Sequence, residues 1–154
     1  MTHIYCKTPF SDLKITQLNG CLHGLDFVDY RCESPVVDDT LLNETLRQIK
    51  QYLQSAAFVF DLPVNPQGTD FQRKVWDALC AIPAGEVKTY GALAKDLQSS
   101  ARAVGNACRN NPVALIIPCH RVVSAQGIGG FVGQTQGQKI SIKQQLLLHE
   151  GVEI

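Results

Sequence analysis

In the first part of the chain the apolar positions fall into short runs broken by turn-forming residues. Ile4 to Lys7, Leu13 to Leu18 and Leu25 to Tyr30 are rich in β-branched and aromatic residues, with Pro, Asn and Gly between them, which predicts three short strands. The spacing then changes. Leu41, Leu42, Leu46, Ile49 and Leu53 return every three or four residues, marking one face of a helix that Asp38 or Asp39 caps and that runs to about Ser55. Asp61 to Gly68, DLPVNPQG, holds two prolines and a glycine and reads as a linker. After it the pattern is helical and closely punctuated. Thr69 with Gln72 forms a capping box for a helix through Leu79, and Pro83 and Gly85 turn the chain. Thr89 caps a second helix, Tyr90 to Leu97, and Ser99 or Ser100 caps a third, Ala101 to Asn110. The short turn Gln98-Ser99-Ser100 between them matches a helix-turn-helix. Ala114 to Ile117 is apolar throughout and predicts a buried strand that Pro118 ends. A final amphipathic helix, from about Ser141 to Glu150, is closed by Gly151. The expected fold class is α+β, with one domain over 1–65 and a second, mainly helical domain over 66–154.

The third helix is the first segment to suggest a partner. Ala101, Ala103, Gly105 and Ala107 leave little side chain on it, and Arg102 and Arg109 add positive charge. Small residues let another backbone come close, and arginines suit phosphate or base contact. The same composition also suits a helix packed tightly on its neighbours inside one protein.

Composition adds less. At 154 residues and 45% hydrophobic content the chain holds enough apolar material for a packed core. Apolar runs such as Val113 to Ile117 are far too short to span a bilayer, so no membrane association is expected. The start, MTHIYCKTPF, lacks a basic stretch followed by an apolar one, so we expect no signal peptide and a cytoplasmic protein. Six scattered cysteines with no CxxC pair then read as free thiols. The formal net charge is zero, but it is unevenly spread. Residues 1–65 carry five Lys and Arg against eight Asp and Glu, and residues 66–154 carry nine against six. That asymmetry points the second part toward something anionic. No internal repeat or low-complexity tract is visible.

The chemistry centres on IPCHRVV, Ile117 to Val123. A cysteine just after a strand-ending proline sits near unpaired backbone N–H groups, and these, with an imidazole, lower a thiol's pKa. His120 is adjacent to Cys119, yet neighbours on a helix diverge by about 100° and on a strand face opposite sides. His120 therefore acts on Cys119 through a bridging water or a kinked backbone, and needs a partner to hold its ring. Glu150 of LLLHEG is the candidate, completing a Cys–water–His–Glu relay. The alternative is an inert buried cysteine beside a surface histidine.

FQRKVWDALCAIPAGEVKTYGALA, ARAVGNACRNNPVALIIPCHRVV and LLLHEG together resemble the methylated-DNA–protein cysteine methyltransferases, the O6-alkylguanine-DNA alkyltransferases. The resemblance covers about the last 85 residues in order, and PCHRV with the upstream Arg109-Asn110-Asn111-Pro112-Val113 and ARAVG is its most specific part. It implies a variable N-terminal domain of ribonuclease-H-like strand-and-helix layout and a C-terminal domain with a winged or helix-turn-helix DNA-binding motif. It implies direct repair of double-stranded DNA by a monomer without cofactor. In that reaction Cys119 takes the alkyl group from O6-alkylguanine, and from O4-alkylthymine, once and irreversibly, after the nucleotide is flipped out. His120, through a water, draws the thiol proton, and Glu150 orients and charge-balances His120. Asn111 braces the site. Tyr90 sits near the flipped base and the 3′ phosphate and helps protonate the leaving guanine. Arg102 enters the duplex and fills the gap. Ala101, Gly105, Arg109 and Arg121 are the further residues expected at the DNA.

The sequence also departs from the family. Phe131-Val132-Gly133-Gln134 stands where many members have Tyr-Ser/Ala-Gly-Gly, and QTQGQ lengthens the following segment, which bears on substrate range. Cys6, Cys21 and His23 match a structural zinc site of some relatives only in part, since Asp26 stands where a histidine is expected, and no metal is predicted. Two other classes remain open from the residues alone: a lesion-sensing DNA-binding module without transfer, and a cysteine hydrolase acting on peptides or amides.

Overall fold

The structure, a computed structural model, describes residues 1–29, 38–131 and 138–153. It divides into two compact units: 1–67 with 112–116, and 68–111 with 117–154. Residues 66–67 and 112–116, which the sequence places in the second domain, thus belong to the first unit.

The first unit is a three-stranded antiparallel meander under one helix. β1 (Thr2–Lys7), β2 (Asp12–Leu18) and β3 (Cys21–Val28) pair in chain order, with Ile4 opposite Ile15 and Ile15 opposite Leu25. The side-chain period of two puts Ile4, Leu13, Ile15, Leu25 and Phe27 on one buried face. Against it packs α1 (Thr40–Gln54), which buries Leu42, Ile49 and Tyr52. Asp39 caps α1 by accepting from the Leu42 N–H, and Asn19-Gly20, both at positive φ, turn β2 into β3.

Two sequence expectations change here. The segment read as a linker lies along β3: the Leu22 N–H donates to the Pro63 carbonyl at 2.8 Å, and Leu22 bridges Val64. Farther along β3, Leu25 bridges Val113, with N–H···O bonds of 3.0 and 3.2 Å to and from the 112–114 segment. These two single-residue bridges cover part of a strand edge that would otherwise be open. The strand expected over Ala114–Ile117 is absent. Val113 makes its bridge, and then the Ile116 N–H donates to the Ala114 carbonyl at 2.9 Å across Leu115, whose φ is +71°. This is a γ-turn of the strained, positive-φ kind. The run is apolar because Val113, Ala114 and Leu115 are buried, and burial enriches apolar residues whatever the backbone does.

The second unit contains α2 (Asp70–Cys80), β4 (Lys88–Thr89), α3 (Tyr90–Asp96), α4 (Ala101–Arg109), a 3₁₀ turn at Cys119–Arg121, β5 (Val122–Val123) and α5 (Gln138–His149). The capping box of Thr69 and Gln72 is present, and Thr89 and Ser100 cap α3 and α4 through their side-chain oxygens. α3 ends in a Schellman turn. The Ser99 N–H donates to the Ala94 carbonyl and the Gln98 N–H to the Lys95 carbonyl, with Gln98 at φ +54°. α3 and α4 pack on each other, and α2 packs on α4, where the Trp76 indole N–H donates to the Ala107 carbonyl at 2.9 Å. β4 and β5 pair in parallel, Lys88 beside Val122. α5 begins three residues earlier than expected, at Gln138. Among the described residues no helix is long and apolar enough to cross a membrane.

Candidate active site

Cys119 is placed by two successive tight turns. Pro118, at φ −82° and ψ 67°, makes an inverse γ-turn in which the Cys119 N–H donates to the Ile117 carbonyl at 2.8 Å. The 3₁₀ turn follows, with the Arg121 N–H donating to the Pro118 carbonyl at 3.0 Å. Successive side chains on such a turn diverge by about 120°, so Cys119 and His120 leave the backbone in different directions. The Asn111 amide donates to that same Ile117 carbonyl at 2.9 Å, and its side chain also hydrogen-bonds Cys119. Asn111 thus ties the end of α4 to the cysteine.

His120 is fully buried, which removes the reading of a surface histidine. Its Nε2 lies 2.8 Å from Glu150 Oε2, and its Nδ1 has no hydrogen-bond partner among the described residues. A carboxylate facing Nε2 holds the proton there, so Nδ1 keeps its lone pair as a proton acceptor. Burial holds the His120 pKa below its ordinary value; Glu150 opposes this, and Arg121 and Lys143 reinforce it. The ring therefore rests neutral and able to take up a proton.

Glu150 is held from both sides. Arg121 Nε donates to Oε1 at 2.9 Å and its Nη2 to Oε2 at 3.1 Å, while Nη1 donates to the Ile82 carbonyl at 2.6 Å. That fork-on-carboxylate geometry is the strong form of a charged hydrogen bond. Arg121, expected at the DNA, thus has its guanidinium occupied inside the unit, and its side chain is only 11% exposed. The backbone places Glu150 just as firmly. Gly151, at φ +84°, closes α5 in a Schellman turn, with its N–H on the Leu148 carbonyl and that of Val152 on Leu147. A residue with a Cβ is strained there, so the glycine sets where Glu150 stands.

The thiol departs from expectation. Burial pushes the Cys119 pKa up, against the Asn111 hydrogen bond, the Lys143 charge and the cysteine's own N–H. Cys119 is 5% exposed, and a turn's N–H groups do not offset that loss of water. The resting sulfur is protonated, and its proton has to be drawn off during reaction. Cys108, at the end of α4, is also buried and is pushed up to about 12. Cys80, the last residue of α2, is exposed.

Tyr90, the first residue of α3, is half-buried, and its hydroxyl donates to the Gly130 carbonyl at 3.4 Å. Burial raises its pKa, so the phenol stays a donor. A Cβ at Gly129, φ +75°, would lie 3.0 Å from the Tyr90 ring and 3.1 Å from the Ser124 nitrogen, so only glycine lets the loop lie so close. Phe131 is buried, and Val132 to Gln134 with most of QTQGQ lie outside the described residues.

The residues expected at DNA form a different environment. Ala101, Arg102 and Arg109 are exposed on α4, and neither arginine has a hydrogen bond or ion pair among the described residues. Gly105 has nothing within 4 Å of the position a Cβ would take, so no internal contact requires this costly helical glycine. Among the described residues no group of three or more His, Cys, Asp or Glu is arranged to hold a metal; Cys6 lies on β1 and Cys21 and His23 on β3.

Sequence reasoning missed Lys143 of α5. It is fully buried, with Nζ donating to the Val122 carbonyl at 2.7 Å and to Gly130 at 2.9 Å. Nothing in KISIKQQLL distinguishes it from a solvated lysine on an amphipathic helix.

Comparison with known proteins gives a consistent result. Residues 70–152 match the family model described as 6-O-methylguanine DNA methyltransferase, DNA binding domain. The methylated-DNA–protein-cysteine methyltransferase of Methanosarcina mazei is 43% identical over 148 residues, covering 92% of this chain and 91% of that one. The crystal structure of Mycobacterium tuberculosis O6-methylguanine methyltransferase superposes with a TM-score of 0.81 at 33% identity, over 97% of this chain and 93% of that one. OGT from the same organism, solved in complex with DNA, gives 0.77 at 31% identity, over 97% and 92%. The mixed α+β fold is that of these structures. Motif order, full-length similarity and the buried Cys119–His120–Glu150 arrangement agree, and the chain belongs to the methylated-DNA–protein-cysteine methyltransferase family.

Proposed function

We propose that the protein repairs alkylated double-stranded DNA directly, moving the alkyl group of O6-alkylguanine, and of O4-alkylthymine, onto its own Cys119 in a single turnover. The observation that carries this reading is the His120–Glu150 pair at 2.8 Å with Nδ1 left as an acceptor, one residue from a buried thiol. The thiol proton passes through a bridging water to Nδ1, and the imidazolium that results is balanced by Glu150. The sulfur forms its bond to the alkyl carbon as the bond from that carbon to O6 breaks. The electron pair leaves with the guanine, which Tyr90 helps to protonate, the phenol regaining a proton from solvent. The thioether has no leaving step, so each molecule acts once.

Such a base must leave the stack to reach a buried sulfur, at a cost of a few kcal/mol. Arg102 fills the gap, and Ala101, Gly105 and Arg109 let α4 lie close on the minor groove, where sequence is read weakly. Asn111 braces the active-site turn. Arg121 is assigned here to Glu150 rather than to DNA, on the strength of its three internal hydrogen bonds. The α3–α4 pair serves as the helix-turn-helix, supported by its Schellman turn and the Ser100 cap. The meander and α1 are the strand-and-helix part of a ribonuclease-H-like N-terminal domain. A cytoplasmic monomer remains the reading from sequence.

The test is stoichiometry. Protein in limiting amount, mixed with duplex carrying one O6-methylguanine, restores one guanine per protein and then stops. Continued turnover, or binding with no restored guanine, contradicts the proposal.

A further inference from the structure

Lys143 is a buried cation without an anionic partner. It forms no ion pair with a carboxylate among the described residues, although removing an ammonium from water costs several kcal/mol. Its Nζ donates to two carbonyls, Val122 beside the cysteine turn and Gly130 in the loop under Tyr90, and lies 5.8 Å from the centre of the Tyr90 ring. The Gly130 carbonyl also accepts from the Tyr90 hydroxyl, so lysine and tyrosine meet on one oxygen. Two hydrogen bonds to carbonyls need no charge; a neutral amide supplies them. The charge is explained by what else surrounds it.

We propose that Lys143 is a positioning residue for the transfer, a fixed cation that balances the Cys119 sulfur as it ionises while holding Gly130 and Tyr90 in place. The ionisable groups acting on it are Cys119 and Cys108, which favour its charged form, while burial brings its pKa down to about 8. In return it favours ionisation of both thiols and disfavours protonation of His120. The cation acts on both thiols, and only Cys119 also receives the Asn111 hydrogen bond, so Asn111 is what sets the two thiolates apart. Lys143 and Cys119 then titrate as a couple.

The proposal rests on Cys119 being the alkyl acceptor, but its test does not need DNA. Iodoacetamide labelling of Cys119, resolved at the peptide level from pH 6 to 10, reads the thiolate directly; sulfur gains the carboxamidomethyl carbon and iodide leaves. Lys143→Gln keeps donors for the two carbonyls and removes the charge, and its labelling at pH 7 is expected to fall about tenfold, a one-unit shift of the profile. Lys143→Arg keeps the charge and is expected to stay within about twofold. A folded Lys143→Gln with the wild-type profile overturns the proposal. Should that variant not fold, the wild-type profile decides: loss of the Lys143 charge near pH 8 flattens the rise of Cys119 labelling to about threefold between pH 8 and 9, and a rise of nearly tenfold over that unit overturns it. Wild type that labels as expected but takes no methyl group from duplex defeats the repair reading and leaves the couple standing.

Discussion

The exposed face of α4 and the cysteine turn lie in the same unit and both carry arginine, yet they solve opposite problems. On α4, Arg102 and Arg109 stand in water with no partner among the described residues, and Gly105 has open space where a Cβ would be. At the cysteine turn, Arg121 commits its guanidinium to Glu150 and Ile82, and His120 is sealed from solvent. A surface whose groups are left unsatisfied is available to a partner. A cluster whose charges are mutually satisfied holds a geometry. Binding and chemistry should therefore be separable by mutation.

Cys119→Ala should abolish alkyl transfer completely and leave duplex affinity within about twofold, measured by fluorescence anisotropy, since no DNA-facing group changes. Arg121→Ala should destabilise the fold by about 3–5 kcal/mol in urea unfolding, because it leaves the Glu150 charge buried with one partner fewer. Arg102→Ala should leave stability within about 0.5 kcal/mol while slowing repair of duplex about tenfold, since only the cost of flipping is affected. A stable Arg121→Ala with weakened DNA binding would reverse our assignment of the two arginines. Gly151→Ala should cost about 1 kcal/mol for a Cβ at positive φ, and should slow transfer as well because Glu150 moves with it. The last effect concerns pH. His120 has its pKa lowered by folding, so the unfolded chain takes up a proton that the folded chain refuses, and stability falls as pH drops below about 6.5, by at most about 1.4 kcal/mol per unit. His120→Gln should flatten that slope, as thermal melts between pH 5 and 7 would show.

What can be read from the sequence follows the same division. The three strands of the first unit, the caps at Asp39, Thr69, Thr89 and Ser100, and the Gly151 stop are local signals, and each is present. The pairing of His120 with Glu150 is legible because the cysteine's neighbour needs a partner and LLLHEG offers one. The rest depends on burial, which single residues do not announce. Ala114 to Ile117 is apolar enough for a strand but bends at Leu115. Arg121 looks like Arg102 in the sequence and differs only in what surrounds it. Lys143 reads as surface charge and is enclosed. The Cys119 pKa runs opposite to its sequence signals for the same reason, since the turn is visible in the sequence and the loss of water is not.

The central claim is tested most directly by asking where the methyl group goes. After incubation with a duplex holding O6-methylguanine, intact-mass and peptide analysis should find the protein heavier by one CH2, carried on Cys119 alone, with Cys108 unmodified. A protein of unchanged mass with a free Cys119 thiol, or a methyl group found on another cysteine, would contradict the account.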